Sequence, residues 1–253
     1  MTILLLGDIT GRSRVALRML SAVLEGCGHE VLMLPTALIS NTLDLGRHAQ
    51  LDTTDYLLRS LETWKALGMR YDLAYIGYIT GMEQAEALLR VMEELRAQGV
   101  PVVVDPILGD NGRKYNSVTA EQAEGMKRLC GKADLITPNL TEACLLLGLP
   151  YEGADAREIV RWLSSGGRST LVTSAKTEDG CDAVLGYDAK QKKEVEVRFR
   201  RVEGHHWGTG DLFTGLLMDA MLRGCTLEEA AGSAAAHVEA QLLGKEKSML
   251  PKQ

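Results

Sequence analysis

Four short runs of the 253-residue chain hold most of the groups able to do chemistry. In Gly208-Thr209-Gly210-Asp211, glycines flank a threonine directly before an apolar helical period. Such a turn leaves backbone N–H groups unpaired at the positive end of a helix, which is an anion cradle. The carboxylate one residue on places a potential base beside the anion, and the chemistry this suggests is phosphoryl transfer. Asp105-Pro106-Ile107-Leu108-Gly109-Asp110-Asn111-Gly112 supplies two carboxylates, with glycines that let backbone approach a ligand closely. Thr137-Pro138-Asn139-Leu140-Thr141-Glu142 adds a hydroxyl, an amide and an acid, and Val172-Thr173-Ser174 ends in two hydroxyls.

Each group also has a purely structural reading. Asp211 could be a cap or a first-turn charge complementing the helix dipole. Glu142 stands three residues after Asn139, the spacing of a capping box. Asp105-Pro106 could be a turn that ends a strand. The functional reading gains weight because all four runs follow apolar β-type segments and so deliver oxygen-rich or glycine-rich loops to one rim. The histidines (His29, His48, His205, His206, His237) form no metal-binding pattern.

The elements that must position these groups alternate along the chain. Strands are expected at Thr2 to Leu6, Glu30 to Leu34, Leu73 to Ile76, Val100 to Val104, Leu135 to Ile136 and Thr170 to Thr173. Helical periods fall at Val15 to Cys27, Thr54 to Leu67, Glu83 to Ala97, Ala120 to Leu129, Leu140 to Leu147 and Ala156 to Leu163. That alternation predicts an α/β fold with a mostly parallel sheet and helices on both faces. Cys181 to Tyr187 and Val195 to Arg201 read as an antiparallel hairpin on the sheet edge. Helices Asp211 to Leu222 and Leu227 to Leu242 follow, and the lysine-rich end from Lys245 to Gln253 is expected to fray.

Composition bounds the rest. No linker-like stretch divides the chain, so residues 1–253 are read as one domain. A formal net charge of -6 argues against a nucleic-acid partner. Lys190 to Arg201 carries six basic residues, but their alternation with Val195, Val197 and Phe199 marks the solvated face of a strand. No apolar run is long enough to cross a membrane, and no signal-peptide core is present, which predicts a cytoplasmic protein without membrane partners. The five scattered cysteines are expected to be reduced and mostly buried.

Taken together, Asp105 to Gly112, Tyr115, Thr137 to Glu142 and Gly208 to Phe213 resemble the pyridoxal (vitamin B6) kinases of the ribokinase superfamily. Gly7-Asp8-Ile9-Thr10-Gly11 and the Gly77-Tyr78 turn fit the same family, so the resemblance runs over nearly the whole chain in order. It implies a ribokinase-like three-layer sandwich and a magnesium- and ATP-dependent kinase. Phosphate would go onto the 5′-hydroxymethyl group of pyridoxal, pyridoxine or pyridoxamine, salvaging pyridoxal 5′-phosphate. A homodimer and a monovalent cation such as K⁺ are implied as well.

By position, Asp211 resembles the catalytic base and Gly208, Thr209 and Gly210 the anion hole. Asp110, Asn139 and Glu142 resemble the magnesium and triphosphate end, with Asp110 and Glu142 on the metal side. Asp105 and Tyr115 would line the channel nearby. Thr137, Thr173 and Ser174 would offer hydroxyls to phosphates or the monovalent ion, and Asp8, Ser40 and Tyr78 would surround the ring. Two stretches depart from the pattern. Ser40-Asn41-Thr42-Leu43-Asp44-Leu45-Gly46 stands where the family commonly shows Ser-x-His-Thr-Gly, and Trp207 stands where smaller or imidazole side chains are usual. A kinase for hydroxymethylpyrimidine or a sugar, and a non-catalytic B6 or nucleotide sensor, are the competing readings.

Overall fold

The computed structural model describes residues 1–202, 204 and 206–244. Glu203, His205 and the terminal stretch expected to fray therefore lie outside the described residues. In chain order the elements are β1 (Thr2–Thr10), α1 (Leu17–Gly26), β2 (Glu30–Ile39), β3 (Gln50–Asp52), α2 (Thr54–Ala66), β4 (Leu73–Ile76) and α3 (Met82–Ala97). There follow β5 (Val102–Val104), β6 (Gly109–Asp110), β7 (Arg113–Lys114), α4 (Ala120–Cys130), β8 (Leu135–Ile136), α5 (Leu140–Leu147) and α6 (Ala156–Ser164). The chain continues through β9 (Ser169–Lys176), β10 (Asp182–Asp188), β11 (Lys193–Arg198), α7 (Thr209–Leu222) and α8 (Leu227–Leu242).

One nine-stranded sheet runs β11-β10-β9-β8-β5-β4-β1-β2-β3, and β6 pairs with β7 in a separate hairpin. The six strands from β9 to β2 are parallel, whereas β10, β11 and β3 join antiparallel at the two edges. Central strands buried on both faces alternate their apolar residues between two cores. Leu4, Leu6, Ile76, Val104 and Ile136 pack toward α2 to α6. Ile3, Leu5, Val103, Leu135 and Leu171 pack toward α1, α7 and α8. This is the three-layer sandwich expected, with Leu227 filling core at 5% exposure.

Strand lengths differ from the expectation in ways that matter. β1 and β2 run on to Thr10 and Ile39. They carry Asp8 to the rim, past a register shift at Gly7/Asp8 that leaves Thr36 unpaired. Pro35 brings no N–H to this ladder, which favours a bulge there. Val100 precedes β5, α1 starts two residues later than its apolar period, and β11 stops at Arg198.

A second irregularity falls where β9 pairs β10: Ala175 faces Ala183 but Val172 faces Leu185, so β9 holds one extra residue at Thr173-Ser174. Ser174 there adopts a left-handed φ of 55.

On the outer edge, Lys193 pairs with Glu228, Arg198 with Asp179 and Glu196, and Arg201 with Asp182, so these basic residues form a paired, solvated face. The five thiols are free, but only Cys130 and Cys144 are buried; Cys181 and Cys225 are exposed and Cys27 is half-buried, because the latter three fall on loops. At the far end of the sheet from the rim, His29 Nε2 meets Asp219 Oδ1 of α7 at 2.8 Å, and Arg223 Nε donates to the same oxygen at 2.8 Å.

Candidate active site

The turn before α7 has the cradle geometry. Gly208 is the N-cap residue with φ 79, and no side chain caps the helix. A Cβ at Gly208 would lie 3.3 Å from the Arg14 carbonyl oxygen and 3.4 Å from Met19, so only glycine suits both the conformation and the space. Around Gly210 nothing lies within 4 Å of where a Cβ would be, which leaves its backbone open to a ligand.

Asp211 does not cap its own helix. Its Oδ2 accepts the N–H of Ala16 at 2.8 Å, across 195 residues of sequence. Ala16, the N-cap residue of α1, takes a positive φ of 52. Burial raises the Asp211 carboxyl to about 6, and the Ala16 N–H opposes the rise. A carboxylate held in place, with an affinity for protons just below neutrality, is suited to accept one from an alcohol.

Behind Asp211 stand two more acids. Asp8 is buried and raised to about 7, first by burial and then by the charge of Asp211. Asp105 is raised to about 7 by the same two causes, opposed by the hydroxyls of Thr137, Thr214 and Tyr75. The buried Thr137 hydroxyl itself completes no hydrogen bond of normal length. Tyr75 is a member of this cluster that the motifs did not indicate. Its phenol tucks under the chain at Gly77, where a Cβ would lie 2.8 Å from the phenolic oxygen. Burial and the surrounding carboxylates, Asp105 foremost, push it well above the ordinary tyrosine range. The available signal was a lone polar aromatic in the otherwise aliphatic, fully buried strand Leu73–Ile76.

At the next strand ends, Asn139 and Glu142 form a reciprocal capping box, so the structural reading of Glu142 holds. Glu142 Oε2 accepts the Asn139 N–H at 2.8 Å and Oε1 accepts the Leu108 N–H at 3.2 Å. Burial and Asp105 raise this carboxyl well above the usual range. Asn139 Nδ2 donates to the Gly109 carbonyl at 2.9 Å, and the Gly112 N–H to Thr141 Oγ1 at 2.9 Å, fixing the β6–β7 hairpin against α5. Asp110 stands exposed on that hairpin and accepts from the backbone and side chain of Asn111. Tyr115, partly buried, follows it and packs against the core. Thr173 bridges to Asn139, and exposed Ser174 sits on the bulge beside it.

Ser40 is exposed and closes a loop, donating to Asn41 Oδ1 at 2.7 Å and accepting the Ala49 N–H at 2.9 Å. Tyr78 is 2% exposed and its hydroxyl is already taken, donating to Gln50 at 2.7 Å and accepting from Gln122 at 2.9 Å. Among the described residues, no three His, Cys, Asp or Glu side chains cluster to hold a metal by themselves. No helix among them is long and apolar enough to cross a membrane.

A mostly parallel sheet with this strand order, an unobstructed glycine turn opening α7 and a carboxylate beside it make a ribokinase-like fold. The profile of the phosphomethylpyrimidine kinase family matches residues 35–249, and the chain belongs to that family. It is 34% identical over 211 residues to a pyridoxine/pyridoxal/pyridoxamine kinase of Bordetella avium, covering 78% of this chain and 70% of that one. A pyridoxal kinase of Arabidopsis thaliana is 30% identical over 156 residues, which are 58% of this chain but only half of the plant protein. Among solved structures, a provisionally assigned phosphomethylpyrimidine kinase of Bacteroides thetaiotaomicron, in a crystal form with pyridoxal, superposes with a TM-score of 0.86. It is 32% identical, over 93% of this chain and 85% of that one.

Proposed function

We propose that the protein transfers the γ-phosphate of ATP to the 5′-hydroxymethyl group of a B6 vitamer, and so salvages pyridoxal 5′-phosphate. The observation that carries this reading is Asp211, whose carboxylate is held by the Ala16 N–H beside the Gly208 to Gly210 turn instead of capping its own helix. Asp211 takes the proton of the attacking hydroxyl, and the N–H groups of the turn receive the charge developing on the transferred group. The Bordetella relatives and the pyridoxal-containing Bacteroides structure favour a B6 vitamer as acceptor.

Asp8 and Tyr78 line the ring side, with Ser40 closing the loop above them. Asp105, Tyr115, Asn139, Thr173 and Ser174 line the nucleotide side, where the buried Thr137 hydroxyl suits a phosphate oxygen or a monovalent cation such as K⁺. Mg²⁺ fits the Asp110 and Glu142 side, since it takes most of its ligands from phosphates and water and does not require a protein cage. When bound there, it neutralises charge on the triphosphate. Glu142 meanwhile fixes Asn139 and the Leu108 backbone with both of its oxygens.

A homodimer is part of the proposal. Leu38 and Leu51 pair across β2 and β3 and are 42% and 59% exposed, with Tyr56 at 56%, an apolar edge suited to a second copy. We place the protein in the cytoplasm, where its free thiols stay reduced.

The matched family's description, phosphomethylpyrimidine kinase, supports a second reading, a kinase for a pyrimidine acceptor such as hydroxymethylpyrimidine. ADP release measured against the three B6 vitamers, hydroxymethylpyrimidine, ribose and fructose, with and without excess EDTA, separates the readings. The expected result is the highest kcat/KM with a B6 vitamer and loss of turnover in EDTA. A higher value for hydroxymethylpyrimidine or a sugar refutes the assigned acceptor, and turnover in EDTA refutes the metal role.

A further inference from the structure

The two stretches that depart from the family pattern meet in space. Trp207 Nε1 donates to Asp44 Oδ2 at 3.0 Å, joining residues 163 positions apart. Asp44 lies in the 3-10 turn Leu43–Leu45, at the crest of the loop that Ser40 and Ala49 close. That loop is internally braced, because Asn41 Nδ2 donates to the Arg47 carbonyl at 2.9 Å. Leu43 anchors it on the other side by packing with Ala37, Ile39, Tyr78 and Ile107. The loop therefore spans from the Tyr78 side of the site to the residue immediately before the anion turn. Burial raises the Tyr115 hydroxyl, with Glu142, Asp110, Asp44 and Asp211 adding to the rise, so Asp44 also faces that side chain.

We propose that Asp44 and Trp207 are a specificity-determining pair, a roof across the acceptor pocket whose hydrogen bond sets the height available to the ring. The inference rests on the acceptor binding beside Asp211. An indole held at its edge by a carboxylate is a rigid, apolar wall. It suits a flat six-membered heteroaromatic alcohol and excludes acceptors with bulk standing out of the ring plane. The pair does no chemistry: it positions the acceptor, and its loss weakens acceptor binding without slowing a bound acceptor.

The test uses Trp207→Phe, Trp207→Ala, Asp44→Ala, Asp44→Asn and the double variant Asp44→Ala/Trp207→Phe. Kinetics are measured with pyridoxal and with a pyridoxal analogue carrying a bulky ring substituent. Losing one charge-assisted hydrogen bond should raise the KM for pyridoxal about tenfold in Trp207→Phe and Asp44→Ala, leaving kcat and the KM for ATP within about threefold. The double variant should lose less than the sum of the two single losses, as expected for partners that share one interaction. Asp44→Asn, which can still accept the indole N–H, should restore most of the affinity, and Trp207→Ala should shift kcat/KM toward the bulky analogue by about tenfold or more.

Strictly additive losses, a fall in kcat at unchanged KM, or an unaltered preference in Trp207→Ala would overturn the proposal. A second measurement separates it from the assigned activity. In a Trp64→Phe/Trp162→Phe background, pyridoxal should quench Trp207 fluorescence even if no phosphate is transferred. Quenching without turnover sinks the kinase reading and leaves the roof standing, whereas absence of quenching sinks the roof.

Discussion

Asp211→Asn separates the base from the helix-terminal charge, because the amide oxygen can still accept the Ala16 N–H while the side chain can no longer take a proton. Losing a general base typically costs 10²- to 10⁴-fold in rate, or about 3 to 5 kcal/mol of transition-state stabilisation. Stability should move the other way. The carboxyl is raised from 3.8 to about 6, so the folded chain holds its proton more tightly than the unfolded chain does. Its stabilising contribution is complete below pH 3.8 and is lost as pH rises through 6. A shift of roughly two units sets a ceiling of about 3 kcal/mol, and the partial exposure of Asp211 reduces this to about 1 to 2 kcal/mol.

The asparagine variant escapes that penalty. At pH 8 it should melt about 2 to 6 °C above the parent, and the gap should close by pH 4. Steady-state ADP release and thermal melts by circular dichroism at the two pH values read both effects. Turnover within threefold of the parent, together with a lower melting temperature at pH 8, would show Asp211 to be a helix-terminal charge and refute the mechanism.

Asp8→Asn should also stabilise the protein at pH 8, by up to about 4 kcal/mol for a carboxyl raised from 3.8 to about 7, and the gain should shrink as pH falls through 7. Urea titrations at pH 8 and pH 5 decide this; equal gains at both would mean that Asp8 is ionised in neither or both. Gly208→Ala forces a side chain to φ 79 and into the Arg14 carbonyl, so it should cost about 1 to 2 kcal/mol of stability and lower kcat at least tenfold. Normal turnover in this variant would show that the turn does not receive the transferring phosphate.

The sequence made the layered architecture and most strands visible because buried parallel strands are short, strongly apolar runs. β3 escaped for the opposite reason: Gln50, Leu51 and Asp52 are all exposed, so no burial pattern marks an edge strand held by only three register pairs. The run Gly7 to Thr10 lies beyond the strand expected to end at Leu6, yet it continues β1, and Gly7 there lets Leu17 pack within 3.1 Å of where a Cβ would be. At the site, motifs located the acids and the glycine turn, since those groups are contiguous in sequence. They could not show that Ala16 orients Asp211 or that Asp44 meets Trp207, because those contacts join distant segments that only the fold brings together. The capping-box spacing of Asn139 and Glu142 was legible and is formed.

The two ties between α1 and α7 have a mechanical consequence. Asp211 is fastened at the start of α1, and Asp219, two turns further along α7, is fastened to His29 just past the end of α1. The two helices are thus pinned at both ends like rungs of a frame, and the anion turn cannot tilt without carrying the first loop of the chain along with it. The opposite wall is fastened separately, the loop bearing Asp44 by Asn41 within itself and by Trp207 across to the turn. The helix pair that carries Asp211 thus behaves as an anvil, fixed at both of its ends.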